Sequence, residues 1–579
     1  MMDDIMPPLV PSEPSVPLLQ NNNPSKAERH AALKAALDEA KRPEDFNNII
    51  KLMSPPADIT SIGEPGAFKN IKVGIIGGGL AGLSSAFELR KLGFDITVFD
   101  SLEDRIGGRV YTYYFDEDKK LYGELGPMRI PISHETTWHF IDLFALNTRP
   151  FIQYNDNAFI YVRDTRVRND PEGKNVMREI YPKFNLAPQE RTTPWFDLID
   201  YGLGTPLSSL HPAIRKEILE IKPVYNPYLL YWTSQGIRQV LETMRLSQGA
   251  ISLIGSISPF IGNFYYNSYY EILQEDYPLA FASLYEIIGG MVNLPLAFYK
   301  SLISKDPKEY RNIPTKDLGR ITWKGGSLVT EISRSAQDNR VILKYKDKHL
   351  RDTLLESFDY VICAIPFSSL RTVSINPLFS VRKMQAIREV NYSAAQRTLF
   401  LCNKRFWEMG GPSERINGGG SYTDLPIISI WYPSDHADLP NVDRSNEPGV
   451  FLSSYNFTLD AIRLGNMDEK RRLNEIKKQV ELVHGLSDGY LDTIVEDSKT
   501  IEWNEAQGFF GGFCYFMPGQ KRLFSYVVTE PEYNNKVFFA GEHTSSNHAW
   551  MQGALHSGMK AANQLAMACK EQSEGKALE

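Results

Sequence analysis

Apolar positions after Ile71 follow the order of a strand, a glycine-rich turn, a helix and a second strand. The stretch "KVGIIGGGLAGLSSAFELRKLGFDITVFD" covers residues 72–100 and opens with a short apolar run, which is typical of a buried strand. A strand, a glycine and a helix follow one another again in "KVFFAGEHTSSNHAWMQGALHSGMKAANQLA" near the C-terminus, and "FDYVICAIP" predicts a further buried strand that ends at a proline. We expect the two helices to begin at the same end of one sheet.

The rest of the chain alternates between strand-like and helical patterns. "GSLVTEIS", "NRVILKYKD" and the section 397–460 alternate like strands, and a helix is predicted near 468–485. The block from about 165 to 300 lacks this alternation and carries apolar and aromatic runs such as "SLIGSISPFIGNFYYNSYYEILQEDYPLAFASLYEII", so we expect it to be mainly helical. At the N-terminus we expect a Pro/Asn-rich tail, one helix in "SKAERHAALKAALDEAKRP" that Pro43 ends, and a linker in "SPPADITSIGEPGAFKN".

Composition excludes several classes of partner. The 579 residues carry a formal net charge of −7, which gives no basic surface for nucleic acid. No run of 18 apolar residues occurs, so we expect no membrane span, and the N-terminus lacks the pattern of a secretory signal. The four cysteines are far apart and make no Cys/His ligand spacing, so the sequence predicts no metal site. Such scattered cysteines favour free thiols in a reducing compartment, and we expect an intracellular, cytoplasmic location.

The glycine turn predicts a dinucleotide site. Gly77, Gly79 and Gly82 have the GxGxxG spacing: the first permits a tight turn, the second lets the backbone approach a pyrophosphate, and the third lets helix and strand pack closely. Asp100 ends the second strand, where a carboxylate can accept hydrogen bonds from ribose hydroxyls. In "DRIGGRVYT", Gly108 and Arg109 are expected to face the same pyrophosphate.

The C-terminal strand and helix indicate FAD rather than a nicotinamide. After Gly541, Glu542 would suit a ribityl hydroxyl, and the polar loop that follows would place Trp550 beside an isoalloxazine ring. A second helix N-terminus there would add N–H donors to the site.

Several of these motifs, in this order, resemble the flavin-dependent amine oxidases, and among them the L-amino acid oxidases most. The motifs are the opening strand-turn-helix, "GGR", "GPMR", "DYVICAIP", "FW" at 406–407 and "FAGEHT" followed by "HAW". The resemblance runs from about residue 70 to 567 and is weakest in the helical block. It implies an α/β and α+β fold in which a Rossmann-type FAD-binding domain carries a mixed-sheet substrate domain and a helical insertion. The implied segments are 1–68 for an N-terminal extension and linker, 69–115, 301–390 and 531–579 for the FAD-binding domain with the C-terminal helix, 116–165 and 391–530 for the substrate domain, and 166–300 for the helical domain.

The resemblance also assigns roles to single residues. The arginine of the Gly-Pro-Met-Arg turn binds the substrate α-carboxylate in L-amino acid oxidases, which here is Arg129, and Tyr455 takes the position of the tyrosine that supports it. Phe513 and Ala549 are implied beside the substrate. The implied neighbours of the cofactor are Met128, Arg129, Val329, Trp503, Trp550 and Met551.

Four positions depart from the family pattern. Arg397 stands where the family has a lysine that is water-bridged to the flavin, and an arginine cannot carry a proton at ordinary pH. No histidine lies between His211 and His349 to serve as the base proposed for venom members, which leaves His548 as a weak candidate. Asp100 replaces the usual glutamate, and Cys402 matches a disulfide-forming position of secreted relatives without a partner cysteine nearby.

The activity that the resemblance implies is the oxidative deamination of L-amino acids, with hydrophobic or aromatic side chains preferred. The products would be a 2-oxo acid, ammonia and hydrogen peroxide, the partners an L-amino acid and dioxygen, and the assembly a homodimer or larger. Catalytic roles are implied for Arg129, Tyr455, Arg397 and Trp550. The alternatives are an amino acid 2-monooxygenase that forms an amide, another amine oxidase, and a non-catalytic flavoprotein.

Overall fold

Five parallel strands form the sheet that the first pattern predicts. In the computed structural model, which describes residues 21–350, 352–438 and 442–578, they lie in the order Ile321–Gly325, Asp95–Asp100, Lys72–Ile76, Tyr360–Cys363 and Val537–Phe539. Every neighbouring pair is parallel. The buried apolar side chains of these strands are those of a parallel sheet covered on both faces. The first 20 residues, predicted as a tail, lie outside the described residues.

Two helices that pack on each other begin at one end of this sheet. The helix Leu80–Lys91 contacts the long helix Met551–Leu578. A Cβ at Gly558 would lie 2.3 Å from the carbonyl oxygen of Ala81, so only glycine allows this closeness. Ser85 Oγ also donates to the carbonyl oxygen of Gly558 at 2.9 Å. The Rossmann-type arrangement predicted from the sequence is confirmed.

A second, mixed sheet has seven strands. Its order is Val495–Glu502, Ala395–Cys402, Gly449–Phe457, Ser429–Trp431, Gly420–Thr423, Phe159–Val162 and Thr165–Arg168. All its pairs are antiparallel except the parallel pair between Gly420–Thr423 and Phe159–Val162. The remaining strands of the described residues form four small sheets. One has four strands, Thr353–Phe358, Val341–Asp347, Ser327–Arg334 and Ser374–Asn376, and another has three, Ile130–Pro131, Leu284–Ile287 and Thr148–Pro150. The other two are pairs: Thr112–Tyr114 with Tyr122–Glu124, and Tyr392–Ser393 with Phe513–Cys514.

The block from about 165 to 300 is mainly helical, as expected, but the quoted aromatic run also contains a strand that the sequence did not indicate. Leu284–Ile287, at the end of that run, is a strand between Ile130–Pro131 and Thr148–Pro150. Both partner strands are distant in sequence. The backbone N–H and C=O groups of the three segments find hydrogen-bond partners only when the segments pair with one another. The strand fixes the chain directly after Arg129.

The helices of the described chain are mostly short. They are Lys26–Glu39, Phe46–Met53, Leu80–Lys91, Glu135–Leu143, Lys174–Glu179, Trp195–Ile199, Thr205–Ser209, Pro212–Arg215, Pro227–Thr233, Ile237–Thr243, Gln248–Ile257, Pro259–Asn263, Tyr270–Asp276, Asn293–Ile303, Phe367–Leu370, Val381–Glu389, Thr458–Gly465, Glu469–His484, Gln520–Phe524 and Met551–Leu578. Within the described residues, none combines the length and apolar character of a membrane span.

The N-terminal segment contains two helices where the sequence predicts one. Pro43 follows the first helix, as expected, but it also starts a turn of 3-10 helix that leads into Phe46–Met53, a position where proline needs no N–H partner. Arg42 donates to the carbonyl oxygens of Asp276 and Tyr277 at 2.9 and 3.2 Å, and so caps the C-terminus of the helix Tyr270–Asp276. The domain boundaries given above stay a prediction.

Candidate active site

The three glycines of the turn have three different environments. Gly77 has φ +104°, a conformation that a larger residue rarely adopts. A Cβ at Gly82 would lie 1.9 Å from the carbonyl oxygen of Gly77, whereas a Cβ at Gly79 would meet nothing closer than 3.9 Å. Gly79 is also the N-cap of the helix Leu80–Lys91. Its open side and the free N–H groups of the helix therefore offer an approach for a phosphate.

Asp100 is a buried carboxylate with one free oxygen. Its Oδ1 accepts a hydrogen bond from the Leu102 N–H at 2.9 Å, while Oδ2 is buried beside the backbone of Gly78 and makes no well-formed hydrogen bond within the described residues. Burial raises the pKa of Asp100 to about 6. A buried acceptor without a donor is costly, and a ribose hydroxyl would supply that donor. The glycine turn and this oxygen fit the adenosine half of FAD.

Glu542 joins three segments around the site. Its carboxylate accepts from Arg109 Nη1 at 3.0 Å and from the backbone N–H groups of Cys514 and Ala549 at 3.0 and 3.1 Å. Arg109 also donates to the carbonyl oxygen of Gly512 at 2.9 Å. Glu542 and Arg109 thus hold each other while both line the central cavity.

One cavity brings together most of the predicted site residues. It has a volume of about 270 Å³ and reaches from the glycine turn to the seven-stranded sheet. The predicted residues that line it are Gly77, Gly79, Asp100, Gly108, Arg109, Val329, Arg397, Tyr455, Trp503, Phe513, Gly541, Glu542, Ala549, Trp550 and Met551. Gly82, Met128 and Arg129 are not among the lining residues. Gly82 packs helix on strand, and Met128 is buried in a cluster with Leu125 and Trp431.

Arg129 lies in an aromatic environment next to Trp550, a residue that lines the cavity. Its Cζ is 5.0 Å from the ring centre of Phe281, 5.3 Å from that of Trp431 and 6.0 Å from that of Trp550. Its Nη1 donates to Gln153 Oε1 at 2.8 Å, and no carboxylate oxygen of the described residues lies within 4.0 Å of its nitrogens. Burial lowers the pKa of Arg129. A guanidinium held in this way lacks an anion.

Two aromatic residues of the cavity wall, Phe513 and Tyr455, pack against further aromatic rings behind them. The Phe513 ring is 5.7 Å from that of Tyr515 and 5.8 Å from that of Phe457. Tyr455 lies 4.5 Å from Phe457, ring centre to ring centre. Of these residues, Phe513 and Tyr455 offer an aromatic surface to whatever the cavity binds.

Glu275 is a site residue that sequence reasoning missed. Its Oε1 accepts a hydrogen bond from the Trp550 indole N–H at 2.9 Å, and burial raises the pKa of Glu275 to about 8. The charge on Arg129 opposes that rise. Gln153, Phe281 and Trp431 were missed as well. The only signal for Glu275 is its spacing of four residues from Glu271, which puts two acidic side chains on one face of a buried helix.

His548 is engaged elsewhere. Its Nδ1 lies 3.0 Å from Glu271 Oε1, its ring packs 4.4 Å from that of Phe516, and it is not among the residues that line the cavity. A role for His548 as base has no support from this arrangement.

A cluster of Glu408, Asp435 and His436 lies outside the cavity and places its ligand atoms within 4.8 Å of one another. Arg405 already pairs with Glu408 at 3.0 Å and with Asp435 at 2.6 Å. The guanidinium supplies the positive charge that these carboxylates need.

The arrangement can bind a dinucleotide at one end and an anion with an apolar body at the other. Comparisons with known proteins agree with this. The family model described as flavin containing amine oxidoreductase matches residues 80–566. The L-amino-acid oxidase of Sistrurus catenatus edwardsii is 28% identical over 541 residues, which are 93% of this chain and 93% of the relative. That of Gloydius halys is 29% identical over 537 residues, or 92% and 95%.

A solved structure shows the same fold. Wild-type putrescine oxidase bound to putrescine superposes with a TM-score of 0.60 at 14% identity, over 85% of this chain and 98% of that chain. The Rossmann-type domain, the mixed-sheet substrate domain and the resemblance seen in the motifs are confirmed. The chain belongs to the flavin containing amine oxidoreductase family and is an oxidoreductase with FAD as its cofactor.

Proposed function

We propose that the protein is an L-amino acid oxidase, which converts L-amino acids with hydrophobic or aromatic side chains into 2-oxo acids, ammonia and hydrogen peroxide. The observation that carries this proposal is Arg129, a guanidinium among aromatic rings without a carboxylate partner in the described residues. The α-carboxylate of an amino acid would be that partner, and a simple amine has none to offer. The curated relatives named L-amino-acid oxidase support the same substrate class.

The proposed roles of the residues follow from their chemistry. Bound FAD, held by the glycine turn, Asp100, Arg109 and Glu542, would supply the acceptor for a hydride from the substrate Cα and the reduced flavin that reacts with dioxygen. Arg129 binds the carboxylate through its planar fork, and Tyr455 closes that side of the site. The rings of Phe513 and its neighbours hold an apolar side chain and exclude water. By fixing the carboxylate and the side chain, these residues orient the Cα–H bond.

Assembly, location and pathway belong to the proposal too. We propose a homodimer or larger assembly, an intracellular location and a role in amino acid catabolism. The four cysteines are buried and unbridged, which supports a reducing location.

The deciding experiment is an anaerobic flavin-bleaching screen. Each chiral L-amino acid should be tested against its D-enantiomer, which has the same groups, and glycine, putrescine and benzylamine should be tested beside them. We expect apolar L-amino acids to bleach the flavin, and aerobic turnover to give one hydrogen peroxide per 2-oxo acid. Bleaching by the amines alone, carbon dioxide and an amide as products, or no bleaching at all would each overturn the proposal.

A further inference from the structure

Three consecutive backbone carbonyls before Arg129 are bound by side chains of the substrate domain. Arg397 Nη1 donates to the carbonyl oxygen of Glu124 at 3.1 Å and to that of Gly126. Trp503 Nε1 donates to the carbonyl oxygen between them, that of Leu125, at 2.9 Å. We call these two side chains and their three acceptors the carbonyl clamp.

The conformation of the turn explains why these carbonyls need side-chain donors. A Cβ at Gly126 would lie 2.1 Å from the carbonyl oxygen of Arg109, so the chain passes close to a neighbouring segment here. Pro127 follows and has no N–H to offer. Carbonyls buried in such a turn need donors from elsewhere, and the clamp supplies them.

Arg129 therefore lies between two fixed points. The clamp ends three residues before it, and directly after it the strand Ile130–Pro131 pairs with Leu284–Ile287. Its backbone has little room to move in the described structure.

The guanidinium of Arg397, which belongs to the carbonyl clamp, also contacts Tyr455. Arg397 and Tyr455 are paired across neighbouring strands, and Arg397 Cζ lies 3.7 Å from the centre of the Tyr455 ring. Arg397 is 5% exposed, and none of the described carboxylates lies within 4.0 Å of its nitrogens. Its contacts are two carbonyls and one aromatic face.

We propose that Arg397 is a positioning residue for the carboxylate site, which holds the turn that carries Arg129 and the ring of Tyr455 in one rigid arrangement. This rests on the proposed function, since it assumes that Arg129 and Tyr455 receive a substrate carboxylate. A lysine, which the resemblance leads one to expect here, is a point charge and cannot stack on a ring while it donates to two carbonyls in a fixed plane.

The test compares Arg397→Lys and Arg397→Met with Trp503→Phe, a variant that removes the donor to the middle carbonyl and keeps a smaller aromatic ring in its place. We expect KM for the best L-amino acid to rise roughly 10–100-fold in both Arg397 variants, by the loss of charged hydrogen bonds. Trp503→Phe should shift KM in the same direction by less. Because both residues line the cavity, kcat, FAD content and the rate of flavin reoxidation by dioxygen are measured on the same samples, and we expect KM to change by a larger factor than any of these three.

Binding of benzoate gives a readout without turnover. Its Kd, followed through the flavin absorbance of the holoenzyme, should rise in parallel with KM. Unchanged KM and benzoate Kd, together with slower reoxidation, would overturn the proposal and place Arg397 in the reaction with dioxygen. Failure of the wild type to be bleached by any amino acid would overturn the proposed function instead. Should an Arg397 variant not fold, unchanged KM and benzoate Kd in Trp503→Phe would still refute the clamp.

Discussion

Arg129 is the residue on which the substrate class depends. Replacing it with alanine would leave the substrate carboxylate in a pocket of low polarity without its partner. Loss of one side of a buried charged pair costs about 3–5 kcal/mol, so kcat/KM for L-amino acids should fall by roughly 10²–10³ or more. Steady-state kinetics with flavin content measured on the same samples is the check.

Arg129→Lys is the matched control. It keeps the charge but not the fork and should recover only part of the activity. FAD content should be near that of the wild type in both variants, because Asp100 and the glycine turn are untouched. Wild-type kcat/KM in Arg129→Ala, with flavin lost, would make Arg129 a cofactor residue.

Glu275 predicts a dependence of stability on pH. Because burial raises its pKa to about 8, the folded protein keeps a proton that the unfolded chain has already lost above about pH 4.5. This stability is present in acid and is lost as the pH rises towards 8. Between pH 5 and 9, calorimetry should show a smaller decrease in Tm for Glu275→Gln than for the wild type. Parallel curves would contradict it.

Some residues of the site can be predicted from a local sequence motif, whereas others are placed there by contacts with distant parts of the chain. The turn glycines, Asp100 and Glu542 were predictable because a motif fixes their place beside a strand end. Glu275 and Gln153 were not, because each reaches Trp550 or Arg129 from an element whose position depends on distant contacts. That Arg397 bonds to carbonyls of another segment could likewise not be read from its strand.

At the scale of elements, the glycine turn separates folding from cofactor binding. Gly79→Ala places its Cβ in open space, so the apoprotein should keep its Tm, while the methyl group blocks the approach of the pyrophosphate. Gly82→Ala puts its Cβ 1.9 Å from a carbonyl oxygen and should destabilise the apoprotein by about 1–3 kcal/mol or more. Calorimetry and FAD titration of both apoproteins separate the effects. Equal Tm losses would contradict the assignment.

Elements with a strong periodic pattern were predicted, and those defined by their partners were not. Leu80–Lys91 and Glu469–His484 form where the pattern places helices. Leu284–Ile287 belongs to an apolar run whose period does not tell helix from strand, and only its two distant partner strands decide. Pro43 ended one helix as expected, but a proline can also begin the next.

For the whole molecule, the preference for FAD over FMN can be measured as the stabilisation that each cofactor gives to the apoprotein. Asp100 and the isoalloxazine-side residues Trp550 and Met551 line one cavity, so a ligand must have both an adenosine and a flavin to satisfy the whole site. FAD at 100 times its Kd should stabilise the apoprotein by about 2.7 kcal/mol, whereas FMN at the same concentration should raise Tm far less. Equal shifts would refute the assignment of Asp100 to the ribose.

The strand order of the parallel sheet also determines when the sheet can be completed during synthesis of the chain. Lys72–Ile76, the central strand, leaves the ribosome early, but Val537–Phe539 completes the sheet about 460 residues later. At about 5–20 residues per second this is a delay of roughly 20–90 s. Once Tyr360–Cys363 has been made, its free edge waits about 170 residues, or roughly 9–35 s of that time, for Val537–Phe539 and can meanwhile pair with other chains. A nascent chain of this protein therefore depends on protection by chaperones for longer than one whose sheet is contiguous in sequence.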